Sequence, residues 1–343
     1  MNRLLCSTIL ILLIHAITTS LSAQESKQAI LFSSQEPLSM RLDLSLSKVR
    51  KHTDDSTYIA IVVHYKTPEG LWDSIPSSVR TRGHFRKKHC FFPPLRIKFK
   101  KKDANGTLFE GTKSLKLVMP CHGYQTSNDL ILKEFLCYRL YEAACPYVFR
   151  TRLVDITLND QGKNGNTYQL QGILIEDDDA AAERYNAKVF EHPKFDPLQF
   201  QDTSSLRLDF FQYMIANTDF STTFLHNIKA IQTKNGRFIP IAYDFDMSGV
   251  VNAPYATFDE KLGIKSVRER YYKGYCRDEK VAQAVREDYI NREQSIIAVI
   301  GAFDKFFEPK EIEGLKKYLN EFFVTIKNDR AYSERLIGKC RSQ

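Results

Sequence analysis

The chain has 343 residues, of which 43% are hydrophobic, 12% aromatic and 26% charged. That composition excludes a disordered or low-complexity protein and supplies enough chain for one large two-lobed domain or two medium ones. Forty-nine Lys and Arg against 41 Asp and Glu give a net charge of +8, which suits phosphate-rich ligands or anionic surfaces but is too mild to indicate nucleic-acid binding.

Residues 1–23 read as a secretory signal peptide: Arg3, an apolar run through Leu13 and Ile14, then small residues to Ala23, so that the mature protein begins near Gln24. The apolar core is too short for a membrane span, and no later segment reaches about eighteen apolar residues, so no stable span is expected. Localisation is therefore expected to be secreted, periplasmic or at the cell surface. Of seven cysteines, Cys6 leaves with the signal, and the other six are Cys90, Cys121, Cys137, Cys145, Cys276 and Cys340. They permit up to three disulfides. Neighbourhood alone would pair Cys90 with Cys121 and Cys276 with Cys340, and the sequence leaves the pairing open. No Cys-x-x-Cys pair exists and the histidines are scattered, which argues against a structural zinc site.

Residues 40–46, 58–64 and 77–82 read as strands of an antiparallel sheet, from their alternation and their β-branched and aromatic content. A basic stretch, residues 80–102, surrounds Cys90-Phe91-Phe92-Pro93-Pro94, and within it residues 95–99 alternate apolar and basic like a half-buried strand. It is either a solvated basic hairpin or a phosphate cradle in which Gly83 permits a close backbone approach. After a strand at 114–119, Ser127-Asn128-Asp129 offers N-caps for a helix from about 130 to 144 that carries Glu134. Strands follow at 153–158 and 168–175. From Glu176-Asp177-Asp178-Asp179 onward helices dominate, among them 206–214 and an apolar stripe of Ile312, Leu315, Leu319, Phe322, Phe323 and Ile326 behind Pro309.

The most informative segment runs from Asn217 to Asp246. Asn235-Gly236 between two apolar runs is a strong hairpin signal. If these are the two turn residues, Gln232 faces Ile239 and Asn227 faces Asp244, with Cβ atoms about 4.5 to 5.5 Å apart. An amide and a carboxylate at the hairpin mouth, with Asp246 close behind, are the hard oxygens that suit Mg²⁺ or Mn²⁺ held partly by substrate phosphates. Asp219, in a polar loop after a helix, is placed to act as a base toward an attacking hydroxyl. Acid, amide, hairpin, acid is also the order in protein kinases. The chain has no H-R-D, D-F-G or G-x-G-x-x-G, however, and is not a close match to an ordinary kinase.

Arg82-Gly83, Leu95-Arg96-Ile97-Lys98-Phe99, the helix after Ser127, Gly172-Ile173-Leu174-Ile175-Glu176, His226-Asn227 and Pro240-Ile241-Ala242-Tyr243-Asp244-Phe245-Asp246 occur in an order that resembles the spore-coat-protein-H (CotH) kinase family, over about residues 30 to 255. The resemblance implies an α+β, two-lobed, atypical kinase-like fold. An antiparallel-sheet amino-terminal lobe would cover 24–176, and a mainly helical carboxy-terminal lobe with the catalytic loop and metal-binding hairpin would cover 177–343. It also implies a secreted phosphotransferase that uses ATP or another nucleotide with Mg²⁺ or Mn²⁺ and acts on a hydroxyl of a secreted or surface protein or a glycan.

Carried over residue by residue, the resemblance puts Lys98 on the phosphates, with Lys116 as the alternative, and Glu134 as the lysine's helix partner. Arg82 falls in the phosphate turn and Glu176 near the adenine. Asp219 becomes the catalytic acid or base, and Asn227 and Asp244 hold the metal, with Asp246 able to exchange roles with Asp244. The alternative from another class is a catalytically inactive, kinase-like secreted binding or adhesion protein whose basic face docks anionic surface polymers. A nucleic-acid partner is not expected, because aromatics do not interleave with the basic cluster.

Overall fold

Leu38, Met40, Leu42 and Leu44 alternate with half-exposed residues along β1 (Leu38–Leu44), so one face of this strand must be covered. It is covered by closure of its own sheet. The computed structural model describes residues 29–342 except 55, 84, 124, 163 and 164, and the expected signal peptide at 1–23 lies outside the described residues. β1 is followed by β2 (Ile59–Lys66), β3 (Trp72–Thr81), β4 (Leu95–Phe99), β5 (Ser114–Val118), β6 (Thr151–Asp160) and β7 (Thr167–Glu176), which form a closed barrel in the order β1-β2-β3-β4-β5-β7-β6. Every neighbouring pair is antiparallel except β1 and β6. These two run parallel, from Leu38 beside Val154 to Leu44 beside Asp160, and close the barrel.

This closure overturns the expected two-lobed kinase-like fold with an antiparallel-sheet amino-terminal lobe. The physical reason is that β1 uses both of its edges, one on β2 and one on β6, so that the seven strands enclose their own core. That core is lined mainly by apolar side chains, with Leu42, Val63, Ile75, Val79, Leu95, Ile97, Leu117, Val154 and Leu158 almost completely buried. Gly172 sits where β7 passes tightly over its neighbours. A Cβ there would stand 2.8 Å from Ile156 Cδ1 and 2.9 Å from the Val118 carbonyl oxygen.

β5 is buried at all five positions: Leu115 and Leu117 face the barrel core, Val118 joins the second core, Ser114 bonds Asp177, and Lys116 lies beneath the Phe149 and Tyr243 rings. The long helix Gln125–Ala144 packs its Ile131, Phe135, Leu136 and Tyr138 into a second core. That core also takes Val118, Leu153, Ile173 and Ile175 from the outer face of the barrel. The expected caps at 127–129 lie inside this helix, which begins at Gln125. Helices Asp202–Met214, Glu279–Asn291 and Pro309–Lys327 complete the second core, the last with the expected buried stripe from Ile312 to Ile326. A small sheet, β8 (Ala187–Phe190), β9 (Ile228–Thr233) and β10 (Phe238–Ala242), has the order β10-β9-β8. Disulfides join Cys90 to Cys121 and Cys276 to Cys340, while Cys137 and Cys145 are buried thiols. Among the described residues, no helix is long and apolar enough to cross a membrane.

Candidate functional site

The β9–β10 hairpin has a register one residue away from the expected one. Thr233 N–H donates to Arg237 O and Gly236 N–H donates to Thr233 O, so Lys234, Asn235 and Gly236 form a three-residue loop with Gly236 left-handed at φ 79°. Gln232 therefore faces Phe238 and not Ile239. At the mouth Asn227 accepts a hydrogen bond from Tyr243 N–H, not opposite Asp244 as the two-residue turn required. Asn227 and Asp244 both adopt positive φ, 54° and 63°, and so turn out of their strands.

Asn227 turns toward Asp219. Its Nδ2 donates to the Asp219 carbonyl oxygen at 2.8 Å and to Asp219 Oδ2 at 3.0 Å. His226 Nε2 lies 3.1 Å from Asp219 Oδ1, and this contact raises the imidazole pKa. The loop is anchored from both sides. Asn217 Oδ1 accepts the Asp219 N–H, and Lys273 Nζ donates to the carbonyls of Thr218 and Phe220, both at 2.7 Å. Burial, aided by the charge of Arg341, lowers the Lys273 pKa to about 8. The segment carrying Lys273 is itself fixed: Cys276 is disulfide-bonded to Cys340, and Cys276 N–H and Arg341 N–H bond across this junction to Arg341 O and Gly274 O.

Two tyrosines of the long helix, spaced three residues apart so that they share a face, hold the end of β10. Tyr141 Oη accepts Ala242 N–H at 3.1 Å and Tyr138 Oη accepts Asp244 N–H at 2.9 Å. Glu134, one turn earlier, is 1% exposed and reaches Arg86, not Lys98. Arg86 Nη1 is 3.5 Å from Glu134 Oε2 and 4.0 Å from Asp246 Oδ2, and Arg86 Nη2 donates to Met119 O at 2.6 Å. Burial disfavours the Arg86 charge, but Glu134 and Asp246 outweigh it and leave its pKa raised. The short helix Phe85–His89 that bears Arg86 is tied to the exit of β5 by the Cys90–Cys121 disulfide. Burial, with repulsion from Asp244, lifts Asp246 to about 7, even though Tyr255 Oη donates to it at 3.3 Å. Burial pushes Glu134 up as well, against the pull of Arg86, and its Oε1 has no hydrogen-bond partner.

The basic wall comes from the barrel. Lys116 is buried beneath the Phe149 and Tyr243 rings, 4.6 and 5.0 Å from their centroids, and is ion-paired with Asp178. Burial lowers its pKa to about 8, with Asp178 opposing and Arg82 contributing repulsion. Half-buried Arg82 stands close enough to Lys116, Glu134 and Tyr243 for its charge to shift all three. Asp219, Asn227, Asp244, Asp246, Glu134 and Arg82 thus share one electrostatic neighbourhood, with Lys116 at its edge.

Lys98 and Glu176 do not join it. Lys98 is exposed on the outer face of β4, its ammonium 5.6 Å from the Tyr58 ring centroid. Glu176 is buried in an ion pair with Arg184 at 2.6 Å and accepts the Arg150 N–H at 3.0 Å, a structural role. Sequence reasoning missed Arg86 and Lys273. Arg86 was visible only as one of many charges in a basic run, and Lys273 carried no pattern at all. No three of His, Cys, Asp and Glu among the described residues stand close enough to hold a metal ion by themselves. A surface cleft of about 780 Å³, lined by Tyr272, Arg277 and Arg286 among others, shares no residue with this cluster. No protein-family model matches the chain, and no curated protein matches it.

Proposed function

We propose that the chain is a divalent-cation-dependent phosphotransferase that moves the terminal phosphoryl group of a nucleotide to a protein or glycan hydroxyl. One observation carries this reading: a half-exposed carboxylate, Asp219, oriented by Asn227 and His226, lies in the same electrostatic neighbourhood as the mutually repelling pair Asp244 and Asp246. An acceptor hydroxyl at Asp219 would give its proton to the carboxylate as its oxygen attacks the terminal phosphorus, while the bond from that phosphorus to the bridging oxygen breaks and the shortened nucleotide leaves. Asn227 and His226 keep the carboxylate in one orientation, and Lys273 keeps the loop in place. Arg82 supplies positive charge for phosphate oxygens, where bidentate hydrogen bonds to an anion are strongest.

The donor set suits a small hard cation. Asp244 and Asp246 would hold it. With no third carboxylate among the described residues close enough to complete a protein-only shell, the remaining ligands would be water or phosphate oxygens, the usual state of Mg²⁺. When bound, the ion neutralises phosphate charge. The order of Asp219, Asn227 and Asp244, which is also the order in protein kinases, supports the same chemistry. The two disulfides support an oxidising compartment and, with it, export.

The test is calorimetry of MgATP binding to the oxidised mature chain, with and without chelator, for wild type and Asp244→Ala. Binding that requires both the metal and Asp244 is expected. Absence of nucleotide binding in a folded, oxidised sample would refute the proposal.

A further inference from the structure

A second polar constellation lies on the outer face of the barrel and shares no residue with the cluster described above. Trp72 pairs with Lys66 across β3 and β2. Ser39 lies beside Asp155 across the parallel closure, and Asp155 faces Gln171 across β6 and β7, with Thr157 facing Gln169 two residues on. Residues two apart on a strand point to the same side, so these polar side chains form adjoining rows. They line an open cleft of about 590 Å³ together with Asn128, from the start of the long helix, and Phe306.

The polar groups hold one another in place. Asn128 Oδ1 accepts Gln171 N–H at 3.0 Å, Thr157 Oγ1 donates to Gln169 Oε1 at 3.0 Å, and Gln171 Nε2 donates to Asp155 Oδ1 at 3.4 Å. Trp72, the only tryptophan of the chain, is 53% exposed and has the Lys66 ammonium 5.7 Å from its ring. An indole left in water forgoes the burial that most tryptophans obtain. Two ammonium groups, Lys66 and Lys305, balance two carboxylates, Asp129 and Asp155, so the lining has no net charge with which to select a polyion.

An apolar plate beside planar amides and a carboxylate, with no net charge, matches a pyranose: one face of C–H groups and a rim of hydroxyls that donate and accept. We infer that this cleft binds a neutral, hydroxyl-rich carbohydrate. Trp72 stacks on a sugar face, while Asp155, Gln169 and Gln171 pair with the hydroxyls. The inference does not rest on the phosphotransferase reading.

Because Trp72 is the sole tryptophan, its fluorescence reports on the cleft directly. The mature chain is titrated with cellohexaose, maltohexaose and chitohexaose, with a heparin hexasaccharide as the anionic comparison. A saturable change with at least one neutral sugar is expected, weakened about tenfold or more by Asp155→Ala and by Gln171→Ala. Calorimetry should show binding lost in Trp72→Ala, with unfolding midpoints unchanged for all three surface variants. The inference is overturned if no neutral sugar gives a saturable response. It is also overturned if only heparin binds, with an affinity that collapses in salt, or if Asp155→Ala and Gln171→Ala bind as the wild type does.

Discussion

The barrel interior and the Arg86, Glu134 and Asp246 group at the hairpin mouth are buried to similar depth and built from opposite chemistry. Inside the barrel, Leu42, Val63 and Ile97 are fully covered by other apolar side chains. At the mouth, Glu134 and Asp246 are 1% and 5% exposed, and both take their ion pair from one guanidinium, that of Arg86. Apolar burial stabilises in proportion to area wherever it occurs, whereas a buried carboxylate is costly unless its partner stays in place. The barrel is thus a scaffold whose stability is spread over many contacts. The mouth is a site whose stability rests on a few, and it is braced by helix tyrosines, Lys273 and both disulfides.

The largest expected effect comes from removing that one guanidinium. Arg86→Met should lower stability by about 3–5 kcal/mol in denaturant unfolding, because Glu134 and Asp246 are left buried without their ion-pair partner. Arg86→Met combined with Glu134→Leu should recover much of the loss. If the single variant costs no more than a surface substitution, the contrast between the two regions fails.

The pH dependence of stability separates the regions next. The carboxylates that burial lifts, Glu134, Asp209 and Asp246, all lie outside the barrel interior. Burial raises Asp209 to about 7 despite Arg277 and Arg341. An unfolded Asp titrates near about 4, so between these values the native state holds a proton that the unfolded state has lost. The stability from this group is fully present below pH about 4 and is lost as pH rises through about 7. Thermal or urea unfolding should therefore show a fall between pH 5 and 8 that Asp209→Asn flattens by roughly 2–3 kcal/mol.

The same contrast explains what could be read in the sequence. β4 was legible to the residue, since alternating Leu95, Ile97 and Phe99 declare a half-buried strand. The stripe behind Pro309 was legible because helical periodicity is local. Barrel closure was not, because β1 meets β6 across more than a hundred residues and parallel pairing leaves no turn signal between them. The hairpin was found, but its register slipped. Asn-Gly fits a two-residue turn and also the last two positions of a three-residue loop, and only the Thr233–Arg237 closing bond distinguishes them. That Asp219, Asn227, Asp244 and Asp246 lie near one another was legible from their order, but the spacing that set Asn227 opposite Asp244 was not. Glu134 was named with the wrong partner, since nothing local joins it to Arg86.

A smaller effect on stability, but a large one on rate, is expected at Lys273. Its ammonium donates to the backbone carbonyls on either side of Asp219 and lies 4.9 Å from the Phe220 ring centroid, so Lys273→Met should leave the fold largely intact while misplacing the carboxylate. Single-turnover phosphoryl transfer should slow about 100-fold with nucleotide affinity little changed. The smallest effect is expected at exposed Lys98. Lys98→Ala should change stability by less than about 0.5 kcal/mol and leave nucleotide affinity as in the wild type, whereas Arg82→Ala should weaken it.

The most direct test of the central claim is label transfer from γ-labelled ATP with Mg²⁺ by the mature, oxidised chain and by Asp219→Asn, with nucleotide binding measured on the same samples. Transfer to any hydroxyl acceptor by the wild type, and its loss in Asp219→Asn with binding retained, is the predicted result. Equal transfer by both proteins, or none by a wild type that binds MgATP, would contradict the assignment of Asp219 and its neighbours as a phosphoryl-transfer site.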